Sequence, residues 1–247
     1  MTEKITIVIT MAGLSKRFSD AGYFLPKYML DLSGKTVFEH AIMSFKSYFK
    51  SNNFIFICRE VNETSKFVYS KCAEMSILSY QIYCLNDLTK GQAETTLIGL
   101  EGLKCDSNRP ILIFNIDTFR PGYVFPPNID QWDGYLEVFT GSGTNWSYVK
   151  PYNELSTRVI ETAEKKEISN LCSTGMYYFR SFNLFKEAYL NYYSKLLNTE
   201  HYIAPIYNSL TSNHKDVHYH MIDRENVIFC GTPDEYKELK GYQYNHG

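Results

Sequence analysis

Apolar runs alternate with helical patterns along the first half of the chain. The runs at 54–58 and 111–117 are nearly uninterrupted, as in strands that are buried on both faces. Residues 36–39 have the Thr-x-x-Glu spacing of a helix capping box. The pattern predicts strands at about 5–10, 54–58, 80–84 and 111–117, and helices at about 36–49, about 63–76 and from 91 onward. This alternation indicates a largely parallel sheet that binds ligands at the carboxyl ends of its strands.

Shorter apolar segments, separated by turns, follow residue 117. They predict strands at 134–140, 147–151, 157–162 and 175–180, a helix at about 182–197, a strand pair near 217–229, and a last helix that opens at Thr232-Pro233. We interpret them as a small β-extension of the parallel sheet.

Composition narrows the class of protein. The 247 residues are 44% hydrophobic and 21% charged, and neither repeats nor linkers divide them, so a single domain over 1–247 is predicted. The net charge of −2 argues against a nucleic-acid or membrane-surface partner, and no segment has the length of a membrane span. The six cysteines lack CxxC spacing, which favours reduced thiols in the cytoplasm over disulfides or a zinc site.

The first strand leads into a loop of mostly small residues, and two cations follow it. The loop is Met11-Ala12-Gly13-Leu14-Ser15-Lys16, and the cations are Arg17 and Lys27. Backbone N–H groups in such a loop, supported by Arg and Lys, suit a triphosphate. The GxxxxGK[ST] motif of P-loop proteins and the GxGxxG motif of dinucleotide-binding proteins are both absent. The alternative is a tight turn with both cations in solvent.

Two further segments carry charged residues. Asp117 closes the strand Ile111 to Asp117 and is expected at the carboxyl edge of the sheet, where a carboxylate can hold Mg²⁺ against phosphate oxygens. Its alternative role is to cap the following turn. The charged run 161–167 precedes the strand that begins at Gly175, and by composition alone it is more typical of a solvated loop.

These three features in this order resemble the sugar-phosphate nucleotidylyltransferase family, which includes sugar-1-phosphate and choline-phosphate nucleotidylyltransferases. The resemblance implies a Rossmann-like nucleotide-diphospho-sugar transferase fold. It also implies that Arg17, Lys27 and Asp117 are catalytic and that Asp117 holds the Mg²⁺ cofactor. The binding positions implied in the same way are Met11, Ala12, Gly13, Leu14, Ser15, Lys16, Gln92, Ala93, Glu164, Lys165 and Gly175. Among them, Lys165 is expected to meet the acceptor phosphate and Glu164 the acceptor's polar groups.

The chain departs from the family pattern at several positions. Ser15 replaces a loop glycine, Lys16 a Thr or Ser, and Lys166 a proline. Phe229 stands where many members have a second metal carboxylate, for which Asp223 is a nearby substitute.

The resemblance implies transfer of a nucleotidyl group from an NTP to a small phosphorylated acceptor, with release of pyrophosphate. The compact loop beside Gln92 favours a pyrimidine, CTP ahead of the others. The acceptor is a sugar 1-phosphate, a polyol phosphate or an amino-alcohol phosphate, and the product would serve surface-polysaccharide synthesis. Two alternatives stay open: a glycosyltransferase of the same fold and a non-catalytic nucleotide-binding relative. Whether the chain forms a homo-oligomer is also open.

Overall fold

The computed structural model describes residues 4–194, 196 and 199–241. Its strands are β1 (Thr6–Met11), β2 (Asp31–Leu32), β3 (Lys35–Thr36), β4 (Asn53–Arg59), β5 (Tyr80–Leu85), β6 (Ile111–Asn115), β7 (Thr118–Phe119), β8 (Gly134–Thr140), β9 (Ser147–Pro151), β10 (Val159–Glu164), β11 (Leu171–Phe179), β12 (Val217–Met221) and β13 (Ile228–Phe229). Its α-helices are α1 (Lys16–Asp20), α2 (Val37–Met43), α3 (Thr64–Glu74), α4 (Gln92–Gly102), α5 (Phe182–Tyr193), α6 (Tyr207–Ser212) and α7 (Pro233–Gly241). None of the helices within these ranges is both long and apolar enough to cross a membrane.

A nine-stranded mixed sheet organises the described residues. β1 lies between β6 and β4, and these strands run parallel, with β5 continuing in parallel outside β4. Beyond β6 the sheet becomes antiparallel through β11, which also pairs with β8 and β9; β10 pairs with β9, and β12 joins β8 in parallel. The predicted α/β fold, a mixed central sheet with a β-extension, is confirmed.

Alternating side chains of the central strands fill two cores. Ile7 and Ile9 of β1 belong to the core that includes Phe38 of α2, whereas Val8 belongs to the core that includes Leu97 of α4. Because both faces are buried, these strands carry apolar residues at nearly every position. Polar side chains are therefore confined mostly to the ends of these strands.

The structure corrects several boundaries. The first predicted helix ends at Met43 and is followed by a separate 3₁₀ turn at Lys46–Tyr48, while its capping box at Thr36 is present. Both strands predicted near 217–229 are present as β12 and β13, but they do not pair with each other, because β12 pairs with β8 and β13 pairs with β7. The helix predicted over 182–197 ends at Tyr193 as α5, and positions 195 and 197 lie outside the described residues. Local pattern missed α1, the β2–β3 hairpin and α6, which are short and held by tertiary contacts.

Candidate active site

A cavity of about 730 Å³ opens at the carboxyl ends of β1 and β6. Thr10 of β1 and Asn115 of β6 are partners in the parallel ladder, so the loops that follow the two strands meet at one edge of the sheet. The start of α4, the ends of β9 and β10, β11, and the segments 200–203 and 229–235 complete the wall.

The loop after β1 lines one side of this cavity. Met11, Ala12, Gly13, Leu14, Ser15 and Arg17 contribute to the lining, whereas Lys16 is exposed and lies outside it. Ser15 adopts the left-handed conformation, with φ of 51°, and its side-chain oxygen lies 3.4 Å from the backbone nitrogen of Lys27. Phe18 is buried and packs edge-on against Tyr236 of α7, which anchors α1 beside the cavity.

Lys27 and Asp117 form an ion pair in the cavity, with Nζ 2.5 Å from Oδ2. Their side chains are 20% and 24% exposed, so both charges are accessible to a ligand. β6 ends at Asn115, and Asp117 therefore lies in the turn beyond the strand and not at its last position. Its backbone oxygen accepts a 2.8 Å hydrogen bond from the N–H of Cys230, which ties the turn to the C-terminal segment.

The C-terminal segment brings a second carboxylate toward Asp117. A Cβ added to Gly231 would lie 3.1 Å from Asp117 Oδ2 and 3.7 Å from Glu235 Oε2, so glycine permits this close approach. Glu235 Oε2 accepts hydrogen bonds from the backbone N–H groups of Gly231 and Thr232, at 2.8 and 2.9 Å, and so caps α7. Asp223 does not line the cavity. The proximity of Glu235 to Asp117 depends on this tertiary contact through Gly231, so no local pattern marks Glu235 as a site residue.

The pair Asp117 and Glu235 suits a divalent cation. Mg²⁺ at phosphate-transfer sites is usually held by one or two carboxylates together with the substrate's phosphate oxygens. No cluster of three or more His, Cys, Asp or Glu side chains exists in the described part of the chain, so an ion here would depend on substrate for its remaining ligands.

Gln92, the first residue of α4, connects three elements. Its Nε2 donates to Asn115 Oδ1 at 2.6 Å and to Thr10 Oγ1 at 3.0 Å. Gly175 lies directly beside this network: its φ is +90°, and an added Cβ would meet Asn115 Nδ2 at 2.3 Å. Ala93 is buried and outside the lining, and its N–H donates to the backbone oxygen of His201.

The part of the lining that comes from β10 and the segment 200–203 includes the carboxylates Glu164 and Glu200 and the ring of Tyr202. Glu164, at the end of β10, accepts a short hydrogen bond from Ser147, and burial raises its pKa above the usual value for Glu. Lys165 lies outside the lining, in the left-handed region with φ of 56°, and its Nζ is 2.5 Å from the hydroxyl of Tyr202. Tyr202 in turn donates to Glu200.

A buried ion pair contacts the cavity wall through Thr174. Glu137 of β8 is fully buried and accepts from Arg120 Nε at 2.9 Å and from Thr174 Oγ1 at 3.2 Å. Thr174 itself lines the cavity. Burial raises the pKa of Glu137, and Arg120 opposes that rise.

Several lining residues were not predicted as site residues. They are Thr10, Asn115, Tyr177, Glu200, Tyr202, Phe229 and Glu235. Asn115, which stands two residues before Asp117, was the one with a local signal, since a polar residue ended an apolar strand.

Comparison with solved structures finds nucleotidyltransferases that share this fold. An inositol-1-phosphate CTP transferase from T. maritima matches at 13% identity and a TM-score of 0.70, over 99% of this chain and 98% of that chain. A UTP-bound UGPase from Acinetobacter baumannii matches at 14% identity and a TM-score of 0.69, over 97% and 93%. At these low sequence identities, the likeness shows only that the chain has the same fold as these two proteins.

A nucleoside-diphosphate-sugar pyrophosphorylase from Vibrio cholerae RC9 is much more similar. It is 48% identical, has a TM-score of 0.92, and the match covers 95% of this chain and 99% of that chain. The chain belongs to the nucleoside-diphosphate-sugar pyrophosphorylases, a family of sugar-phosphate nucleotidyltransferases. No family model matches the chain, and no curated protein does.

Proposed function

We propose that this nucleotidyltransferase joins a pyrimidine nucleoside triphosphate, CTP ahead of UTP and dTTP, to a small phosphorylated acceptor and releases pyrophosphate. The observation that carries the proposal is the Lys27–Asp117 pair, which sets a cation and a carboxylate side by side at the mouth of the loop after β1. The product is proposed to be an activated precursor for a surface polysaccharide.

The reaction is an in-line displacement. An oxygen of the acceptor phosphate attacks the α-phosphorus of the triphosphate, forming a P–O–P linkage. The bond between the α-phosphorus and the bridging oxygen breaks, and pyrophosphate leaves with the electron pair. The attacking phosphate is already anionic, so the protein needs no general base and contributes positioning and charge neutralisation.

Each site residue has a proposed role. Arg17 binds the β- and γ-phosphates through its guanidinium, and Lys27 leaves Asp117 to bind the α-phosphate. Asp117, with Glu235 nearby, would hold Mg²⁺, which when bound neutralises phosphate charge. N–H groups of the loop 12–15 are proposed to donate to phosphate oxygens.

Gln92 supports the preference for cytosine. Its Nε2 is engaged by Thr10 and Asn115, which leaves Oε1 as the atom that can accept from a base. Cytosine presents an exocyclic amino donor at position 4, where uracil and thymine present an oxygen acceptor.

The proposed compartment is the cytoplasm. All six cysteines are free thiols, including Cys58 and Cys84, whose sulfur atoms are only 3.6 Å apart on neighbouring strands. Free thiols at this distance persist most readily in a reducing compartment.

The test is pyrophosphate release with Mg²⁺ from CTP, UTP, dTTP, ATP and GTP, each against phosphorylated sugars, polyols and amino-alcohols. Release that requires one triphosphate and one acceptor together supports the proposal. Release of a nucleoside diphosphate from a nucleotide-sugar instead would identify a glycosyltransferase. Triphosphate binding without turnover on any acceptor would favour a non-catalytic relative.

A further inference from the structure

One oxygen of Asp117 is in contact with a cation of the protein itself. Oδ2 of Asp117 lies 2.5 Å from Lys27 Nζ. The same oxygen is the one nearest to Gly231, whose added Cβ would lie 3.1 Å from it and 3.7 Å from Glu235 Oε2. The ammonium group of Lys27 therefore occupies the oxygen of Asp117 that faces the second carboxylate. A divalent cation held between Asp117 and Glu235 would use that oxygen.

Lys27 and a divalent cation compete for Oδ2 of Asp117. Mg²⁺ binds carboxylate oxygens at about 2.0–2.1 Å, so an ion on Oδ2 would lie close to an ammonium group that keeps its present position. The two positive charges would repel each other. Because the side chains of Lys27 and Asp117 are only 20% and 24% exposed, solvent screens this repulsion less than it would at the surface.

Contacts with neighbouring segments hold the backbone on both sides of the ion pair. Lys27 opens a 3₁₀ turn whose next residue, Tyr28, is buried and shares a 2.8 Å hydrogen bond with Thr64. The backbone oxygen of Asp117 accepts from the N–H of Cys230 at 2.8 Å. The pair can therefore separate by rotation of the Lys27 side chain, which is a flexible four-carbon stem, without movement of either loop.

We infer that Lys27 excludes the divalent cation from Asp117 in the free protein, and that a triphosphate ends this exclusion by drawing Lys27 onto its own phosphate oxygens. Oδ2 of Asp117 then becomes available only when phosphate oxygens are present to supply further ligands to the metal. Metal and triphosphate consequently enter together, and the metal alone binds weakly. This inference rests on the metal site of the proposed function, and it gives Lys27 a second role besides binding the α-phosphate.

The deciding measurement is the affinity of the nucleotide-free protein for Mn²⁺, followed by the electron paramagnetic resonance signal of the free ion. Lys27→Met removes the ammonium group and keeps most of the aliphatic stem. We expect this variant to bind Mn²⁺ at least about tenfold more tightly than the wild type, because the ion no longer has to displace a cation from Asp117. Circular dichroism checks that the variant is folded.

Two further variants separate the ion pair from the general charge of the cavity. Arg17→Met removes the same unit charge from an exposed residue of the same lining, but the cation paired with Asp117 is Lys27. It is expected to change the affinity for Mn²⁺ by less than about threefold, since an exposed charge is well screened. Asp117→Asn combined with Lys27→Met is expected to lose the gain, because the ion then lacks the carboxylate that Lys27 had covered.

A second comparison tests the effect of the triphosphate. The ligand is the α,β-methylene analogue of the triphosphate that releases pyrophosphate in the assay above, because this analogue cannot transfer its nucleotidyl group. With the analogue bound at saturation, the difference in Mn²⁺ affinity between wild type and Lys27→Met is expected to shrink, since Lys27 then lies on phosphate. A difference of unchanged size would contradict the role of the triphosphate.

The other outcomes are equally decisive. Equal Mn²⁺ affinity of the nucleotide-free wild type and Lys27→Met overturns the inference, and so does an equal gain in Arg17→Met, which would reflect net charge alone. A gain that survives Asp117→Asn would place the ion elsewhere and also overturns it. Tighter Mn²⁺ binding by Lys27→Met, together with no pyrophosphate release by the wild type on any substrate pair, supports exclusion by Lys27 but overturns the proposed reaction.

Discussion

Lys27 Nζ lies 2.5 Å from Asp117 Oδ2, although 90 positions separate the two residues in the chain. Lys27 begins a 3₁₀ turn and Asp117 follows β6, and the parallel pairing of β1 with β6 brings the two loops together. Without substrate, each side chain is the counter-ion of the other. In the proposed function, binding of the triphosphate gives both charges new partners.

Replacing Lys27 tests its role at the α-phosphate. Lys27→Ala is expected to lower kcat/KM by at least about a hundredfold, because loss of one preorganised cation at a transferring phosphoryl group typically costs about 2–4 kcal/mol of barrier. Steady-state pyrophosphate release measures the effect, and circular dichroism checks the fold. Lys66→Ala is the control, since Lys66 is 76% exposed and pairs only with Glu63 among described residues. A near-normal kcat/KM in a folded Lys27→Ala protein would contradict a role of Lys27 at the α-phosphate.

Replacing Asp117 tests the metal site. Asp117→Asn keeps the shape of the side chain but removes the charge, and we expect it to abolish Mg²⁺-dependent turnover. Titration with Mn²⁺, followed by its paramagnetic effect on water relaxation, should show weaker binding of the ion in the presence of nucleotide. Asp106→Asn, on an exposed turn, provides the control. Full activity with unchanged Mg²⁺ dependence in Asp117→Asn would mean that the metal binds elsewhere.

Gly175 tests how the Gln92–Asn115 network is supported. Gly175→Ala adds a Cβ that would come within 2.3 Å of Asn115 Nδ2, at a φ of +90°. We expect the free energy of unfolding to fall by about 2–4 kcal/mol, and the affinity for the triphosphate to fall as Asn115 is displaced. Gly122→Ala separates the two causes, because Gly122 has a φ of +68° with nothing within 4 Å of the added Cβ. If urea unfolding shows the same loss of unfolding free energy in both variants, backbone strain alone explains the loss in Gly175→Ala.

The Arg120–Glu137 pair predicts a pH-dependent stability. Arg120→Met leaves a buried carboxylate without its cation, which is expected to cost about 3–5 kcal/mol at neutral pH. The folded-state pKa of Glu137 is raised, mainly by burial, so the charged form is the destabilising one. The loss should therefore be largest at pH 7–8 and diminish as the pH falls toward the ordinary pKa of Glu, about 4.3.

Thermal unfolding of the Arg120→Met variant between pH 5 and pH 8 measures this trend. The control is Lys150→Met, which removes an exposed pair with Glu161 and should change stability by less than about 1 kcal/mol at any pH. A loss in Arg120→Met that does not vary with pH would assign the effect to lost packing of the Arg side chain and not to the buried charge.

The sequence by itself determined the buried strands and the helix caps, because each depends on residues that are close together in the chain. The strands at 54–58 and 111–117 were recognisable because burial on both faces leaves no room for polar alternation, and the caps at Thr36 and Thr232 because their hydrogen bonds span three residues. The pairing of β12 with β8 and of β13 with β7 was not predictable from the sequence. Strand pairing depends on which distant segment supplies the free edge, and residues near 217–229 carry no mark of β8 or β7.

The same division holds for the site. From the sequence, the loop 11–17, Lys27 and Asp117 are predicted as ligands for phosphate and metal, because of their place after apolar strands and of the family resemblance, and these roles stay predictions. Only the tertiary structure decided that Lys16, Ala93 and Lys165 lie outside the cavity lining. It also decided that Glu200, Tyr202 and Glu235 belong to that lining. Side-chain direction at those positions is set by turns and close approaches, such as the left-handed backbone of Lys165 and the contact of Gly231 with Asp117. Such contacts form between segments that are far apart in the chain, and no local pattern encodes them.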